Sequence, residues 1–322
     1  PNIPSSITVD KLNNPSVQEV YEPGSTGKVI TVAAAMEEGL ITPETIFTIP
    51  YSMKVSDGVF RDHEKHPTQR LTTTGLLAVS SNTGSIKIGQ KLGKDNLYKY
   101  LTKFGIGQST NSKLPGESAG ILHPVKDWSG TSLPTISFGQ GYSLTAMQST
   151  SVFATIANNG VRVKPSILAG VVDESGKYTP SAANESTRVL SEQTAINMRA
   201  MMENVVSKNG TAPSAAIDGY RVAGKTGTAE RYNTACRCYS GYTASFIGFA
   251  PADQPKYVVS VTIQDPKGMH WGGVLAGPVF KKVMGFVLQN QRISPTPETK
   301  TFYSLTEAAL KQRSKITPKS GA

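Results

Sequence analysis

The chain has 322 residues, 38% hydrophobic and 17% charged, with a formal charge of +10, two cysteines and four histidines. That balance leaves room for a sizeable core and excludes a disordered, fibrous or disulfide-stapled chain. No apolar run reaches the roughly eighteen residues of a membrane span. No basic run interleaved with aromatics points to nucleic acid, and Cys and His are too few and scattered to suggest a metal or other cofactor.

The positive excess reads equally as a solvated surface or as a general attraction to anionic surfaces. Residues 1–20 are polar and broken by Pro and Asn, with only residues 7–9 strand-like. Next comes Tyr21-Glu22-Pro23-Gly24-Ser25-Thr26-Gly27-Lys28. Pro-Gly is turn chemistry, and residues 29–40 are Ala-rich with Gly39 near the end, so a turn opens a helix with Ser25 in its first turn. Val29, Ile30, Val32, Ala33, Ala34, Ala35 and Met36 make that helix apolar almost all round, which predicts burial.

Residues 42–70 hold Pro43, Pro50, Asp57-Gly58 and Pro67 and read as irregular loop with short strands. Within them His63-Glu64-Lys65-His66 has the wrong spacing for a zinc-binding helix and reads as a surface loop. Thr72 or Thr73 caps a short helix through Leu76, Leu77 and Val79, which runs into Ser80-Ser81-Asn82. Two helical segments fill residues 83–104, broken at Gly93 and ended by Gly105. Residues 106–142 are rich in Gly, Pro and Ser and close on Gly139-Gln140-Gly141, the pattern of a functional loop more than a linker. Thr145-x-x-Gln148 is a capping box opening a helix that Asn158-Asn159-Gly160 ends. Strands are expected at residues 161–163 and 167–172, and Ser191 caps a Met-rich helix.

The C-terminal third is β-branched and aromatic at residues 220–223, 242–250 and 257–264, with the last two joined as an antiparallel hairpin. Cys236 and Cys238, one residue apart, fit either a local disulfide or two free thiols. A helix over about 274–289 follows, with Val279, Phe280, Val283, Phe286 and Val287 as the face laid on the sheet. Helices before and after an antiparallel sheet give an α/β (α+β) fold. Pro295 and Pro297 open a tail with a short helix near residues 304–311.

Three separated motifs carry chemistry. Ser25 and Lys28, three apart, share one helix face, the geometry of a nucleophile and its base. By itself this pair also describes an ordinary solvated helix start. Ser80-x-Asn82 follows a buried helix end and supplies a hydroxyl and an amide; Ser109-Thr110-Asn111 matches the same pattern but lies in a polar loop. Lys225-Thr226-Gly227-Thr228 sits at the end of a strand, where Gly227 lets a ligand backbone approach. There Lys225, Thr226 and Thr228 offer a cationic, hydroxyl-lined seat for a carboxylate. Lys319-Ser320-Gly321, a second Lys-x-Gly, has no strand around it.

In this order the motifs are those of penicillin-binding proteins and class A β-lactamases. With Gly139-Gln140-Gly141 and Trp271-Gly272-Gly273 before Ala276-Gly277-Pro278-Val279-Phe280, the chain resembles a class B penicillin-binding protein, most closely the actinobacterial division-type transpeptidases. The resemblance implies a sheet of about five strands flanked by helices, with an all-helical subdomain. It divides the chain into an entering segment at 1–20, a transpeptidase domain at 21–290 and a basic tail at 291–322.

The resemblance further implies that Ser25 attacks the D-Ala-D-Ala carbonyl of a peptidoglycan stem peptide and that β-lactams acylate the same serine. Lys28 is the base if neutral, and Ser80 passes the proton to the leaving amine with Lys225 polarising it. Asn82 holds the substrate amide and Lys28. Thr226 and Thr228 bind the terminal carboxylate, and Gly227 and Gly141 complete the substrate site. It implies two further strands, a pedestal and a membrane-anchoring helix upstream, and hence work on the extracytoplasmic face of the membrane. A membrane glycosyltransferase and division-complex proteins are the implied partners.

Gly27 departs from the family, where many relatives carry a bulky apolar residue; this removes a packing contact and adds backbone freedom worth roughly 1 kcal/mol. The competing readings are a D,D-carboxypeptidase or β-lactamase, in which water is the acceptor, and a β-lactam sensor or division scaffold without turnover. No Glu-x-x-x-Asn loop of the class A hydrolases lies between Ser80 and Lys225.

Overall fold

The structure, a computed structural model, describes residues 13–233, 236–296 and 303–316; the strand expected at residues 7–9 and Lys319-Ser320-Gly321 lie outside them. A short α1 (Pro15–Gln18) leads to a single 3-10 turn at Gly24–Gly27 and then to α2 (Lys28–Glu37). Nine consecutive α2 residues from Lys28 to Met36 are buried, as the all-round apolar pattern predicts. Two ribbons follow, β1 (Ile46–Ile49) pairing with β4 (Gln69–Thr72) and β2 (Ser52–Val55) with β3 (Gly58–Arg61).

Side-chain caps set the helix starts. The Thr72 hydroxyl accepts from the Gly75 N–H and opens α3 (Thr73–Ala78), and Ser81 accepts from Gly84 to open α4 (Asn82–Leu92). α5 (Lys94–Lys103) restarts the chain after Gly93. Beyond α6 (Ser132–Ser137), Thr145 and Gln148 form the expected reciprocal capping box on α7 (Ala146–Ala157). Two small ribbons then pair β5 (Val161–Val163) with β8 (Ser186–Arg188) and β6 (Gly170–Val172) with β7 (Tyr178–Pro180). The strand expected over 167–172 therefore starts only at Gly170. Ser191 caps α8 (Glu192–Val206).

β9 (Ala223–Asn233), β10 (Cys238–Ala250) and β11 (Tyr257–Gln264) form one antiparallel sheet in the order β11-β10-β9. Alternation decides its two faces. Phe246 and Ala250, with the partly buried Val259, Val261 and Ile263, meet α9 (Gly272–Asn290), while Ile247 and Phe249 join the core that contains α2. Both faces are covered, which is the expected α/β class. The sheet has three strands among the described residues, against the five or so that the resemblance implies.

Further boundaries and faces differ from the sequence reading. β9 begins at Ala223 rather than at residue 220 and runs to Asn233, so Lys225-Thr226-Gly227-Thr228 lies in its first half rather than at its end. Its polar outer half pairs with the start of β10, and a disulfide joins Cys236 to Cys238 at that hairpin tip. On α9 the sheet-facing stripe is Ala276, Phe280, Met284 and Leu288, whereas Val279, Val283 and Phe286 are 41%, 42% and 68% exposed. This helix has apolar residues on more than one face, and only the i, i+4 row through Phe280 meets the sheet, where its ring lies 4.8 Å edge-on from Phe246.

The tail returns to the first half. α10 (Glu307–Ile316) lies beside β4; the Thr72 N–H donates to the Leu305 carbonyl at 3.0 Å and the Thr72 hydroxyl to that of Ser304 at 2.6 Å. A Cβ at Gly75 would overlap the Leu305 carbonyl oxygen, so glycine there is the condition for this docking. No helix among the described residues is long and apolar enough to cross a membrane.

Candidate active site

Gly24 sets the position of Ser25. It has φ +54°, and its N–H donates to the Gly139 carbonyl at 2.8 Å. An added Cβ would lie 3.0 Å from the Ala229 Cβ and 3.3 Å from the Thr228 carbonyl, so the 3-10 turn is pressed onto the edge of β9. Ser25 opens on a cleft of about 670 Å³ that Ser80, Asn82, Thr226 and Thr228 also line. The packing contact expected to be missing at Gly27 is not missing. A Cβ there would overlap the Tyr142 hydroxyl and come within 2.8 Å of the Gly139 Cα, so Tyr142 fills the space from the facing loop.

Lys28 is fully buried at the start of α2. Its Nζ lies 2.5 Å from the Ser80 carbonyl oxygen, 2.7 Å from Asn82 Oδ1 and 3.2 Å from Ser80 Oγ. The first two partners only accept, and they match the two N–H bonds of a neutral amine, leaving its lone pair free. Burial lowers the amine to about 7 against the opposing Asp62 carboxylate. Among the described residues its hydrogen bonds go to Ser80 and Asn82 and none to Ser25, so the expected direct Ser25–Lys28 bond is absent here. Such bonds commonly form when substrate closes the site.

Lys225 approaches from β9. Its Nζ donates to Ser80 Oγ at 2.9 Å and reaches the Thr226 carbonyl and hydroxyl at 3.2 Å. Ser80 Oγ therefore stands between two buried lysines, able to accept from Lys225 and to donate to Lys28. Burial pushes Lys225 well below its ordinary value, and the Lys28 charge adds to this. The Thr226 hydroxyl pairs with that of Thr211 at 2.8 Å, and Thr228 Oγ1 accepts from the Gly272 N–H at 3.1 Å, which fixes both hydroxyls.

Packing bears on two of the expected glycines. A Cβ at Gly227 would overlap Ser245 Oγ and lie 3.0 Å from the Pro23 carbonyl, so its absence admits the nucleophile turn and a neighbouring strand. Gly141 gives its N–H to Glu22 Oε1 at 3.0 Å, and Gln140 is the residue of that loop on the cleft wall. The second Ser-x-Asn match, Ser109-Thr110-Asn111, lines a separate cavity of about 180 Å³.

Sequence reasoning missed one side of the cleft. His63, Glu64, Lys65 and His66, read as a surface loop, line it together with Asp62 and Trp271. His63 and Trp271 meet edge-on at 4.0 Å. The available signal was three charged or aromatic residues around two histidines just before the Ser80 helix, which the zinc test alone discarded.

A partly exposed serine on a 3-10 turn, backed by two buried lysines joined through a second serine, defines a site for serine acyl transfer. Residues 2–285 match the penicillin-binding protein transpeptidase domain, and the chain belongs to that family. It is 40% identical over 298 residues to penicillin-binding protein PbpB of Mycolicibacterium smegmatis, covering 89% of this chain and 46% of that one. To the peptidoglycan D,D-transpeptidase FtsI of Escherichia coli it is 35% identical over 297 residues, 92% of this chain and 48% of that one. The chain thus spans about half the length of these relatives. Penicillin-binding protein 3 of Mycobacterium tuberculosis, solved with ampicillin, superposes with a TM-score of 0.85 at 36% identity, over 89% of this chain and 66% of that one.

Proposed function

We propose that residues 21–290 form the transpeptidase unit of a class B penicillin-binding protein that cross-links peptidoglycan stem peptides. The observation that carries this reading is Ser80 Oγ bridging Lys28 and Lys225 beside Ser25. Ser25 Oγ attacks the penultimate D-Ala carbonyl and gives its proton to neutral Lys28. Backbone N–H groups of Ser25 and Thr228 hold the oxyanion, a role worth about 10²–10³ in rate per donor. The proton passes through Ser80 to the departing D-Ala amine as the C–N bond breaks, leaving an ester on Ser25.

The amine of a second stem peptide then attacks that ester, Lys28 takes its proton, and Ser25 Oγ leaves and is reprotonated. Thr226 and Thr228, with Lys225, bind the terminal carboxylate, and Gly227 and Gly141 shape the seat through their neighbours. A β-lactam acylates Ser25 by the same first step and is not resolved by an amine. The substrate lies on the extracytoplasmic face of the membrane, where a membrane glycosyltransferase and division proteins are the fitting partners.

A D-Ala-D-Ala thioester mimic offered with a D-amino acid tests the reading. The expected result is transfer to the amine exceeding hydrolysis. Hydrolysis alone moves the protein to the carboxypeptidases and β-lactamases, and acylation without turnover moves it to the sensors.

A further inference from the structure

Ser80 has φ +62°, a left-handed conformation that is strained for a non-glycine residue. That twist turns its carbonyl onto Lys28 at 2.5 Å, so something must hold it. The residue that does so stands outside every motif. Asp62, 8% exposed on the loop after β3, accepts from the Asn82 N–H at 2.5 Å and the Thr83 N–H at 2.9 Å through Oδ1. Its Oδ2 takes the Ser81 hydroxyl at 2.7 Å and faces Thr83 Oγ1 at 3.4 Å. The Ser81 hydroxyl already accepts from Gly84 as the cap of α4, so its proton is free for Asp62.

We infer that Asp62 is a positioning residue for the acyl transfer: it ties the Ser80-Ser81-Asn82 turn into the geometry that meets Lys28 and sets a carboxylate opposite that amine. The inference rests on the reading of Ser25 and Lys28 given above.

His66 faces the same carboxylate. Its Nδ1 lies 2.7 Å from the Pro67 carbonyl and its Nε2 3.0 Å from Asp62 Oδ2. Both partners only accept, so both ring nitrogens donate and the ring is an imidazolium in this arrangement. Burial opposes that charge, but the Pro67 and Asp62 bonds outweigh it and raise His66 above its ordinary value. Around Asp62 the titratable or charged groups are His66 on its own loop and Lys28 on α2, with Arg61, Glu64 and Lys65 exposed on the same stretch of chain.

The signs follow. Asp62 favours the Lys28 cation, so neutralising Asp62 lowers that amine further, whereas removing the His66 cation leaves Asp62 uncompensated and raises it. The acid limb of acylation, where Lys28 becomes protonated, then moves in opposite directions in the two variants.

The experiment is the second-order rate of labelling by a fluorescent penicillin between about pH 5 and 9, with folding checked by thermal denaturation. Asp62→Asn is expected to lose about tenfold or more on the plateau and to move the acid limb to lower pH. His66→Gln is expected to stay within about threefold on the plateau and to move the limb to higher pH. An unchanged Asp62→Asn rate, or a loss at every pH with an unmoved limb, overturns the inference. If Asp62→Asn does not fold, His66→Gln decides: a limb moved upward supports the inference and an unmoved one overturns it. Ser25→Ala is the control for the underlying reading, since label retained there sinks that reading and not the role of Asp62.

Discussion

Lys28 has three close oxygen partners in full burial, and its substitution separates structural from chemical roles. Lys28→Met leaves the Ser80 carbonyl and Asn82 amide without a donor, a cost of about 1–3 kcal/mol in thermal denaturation. Penicillin acylation should fall much further, by about 10²–10⁴-fold, because the base is gone. In the parent protein the rate should be half its plateau near pH 7, falling on the acid side as Lys28 takes up a proton, and a stopped-flow pH profile checks this. Gly27 gives a second residue-scale test. Gly27→Ala drives a methyl into the Tyr142 hydroxyl and should cost about 1–3 kcal/mol. Adding Tyr142→Phe should recover part of that, and a double-mutant cycle without coupling would contradict the packing assigned here.

The elements show where the sequence was legible and where it was not. Helix starts were readable where a cap and its N–H partner lie within three residues, as at Thr72, Thr145 and Ser191, while the Ser81 cap of α4 was hidden inside the Ser80-x-Asn82 motif. The buried face of α9 was not, because Val279, Val283 and Phe286 are as apolar as the residues that meet the sheet. Phe280→Ala should cost about 3–5 kcal/mol and Phe286→Ala less than about 0.5 kcal/mol by chemical denaturation; the reverse order would restore the sequence reading. The tail is equally illegible, since Gly75 makes sense only against the carbonyl of Leu305. Gly75→Ala should expel residues 303–306 from the β4 edge. Hydrogen exchange at the Thr72 N–H, which donates to Leu305, should then quicken, and protection retained in the variant would contradict the clamp.

At the scale of the whole molecule, the motifs that meet at Ser80 come from residues 52 and 145 positions away in the chain. Their identities were written in the sequence because the chemistry demands those side chains, and their order along the chain is the one the family resemblance rests on. What joins them was not: the left-handed Ser80, the Asp62 carboxylate beneath it and the Tyr142 ring against Gly27 are all long-range complementarities with no local signature. Long-range closure also explains why the packing at Gly227 was not legible, since the groups that exclude a side chain there belong to Pro23 and Ser245.

Ser25 is the proposed site of acylation in this assembled cleft, and intact mass spectrometry after benzylpenicillin treatment, followed by peptide mapping, tests that assignment. A single adduct of one whole penicillin on the peptide containing Ser25, lost in Ser25→Ala, is the expected result. An adduct that survives in Ser25→Ala, or maps to another residue, would contradict it.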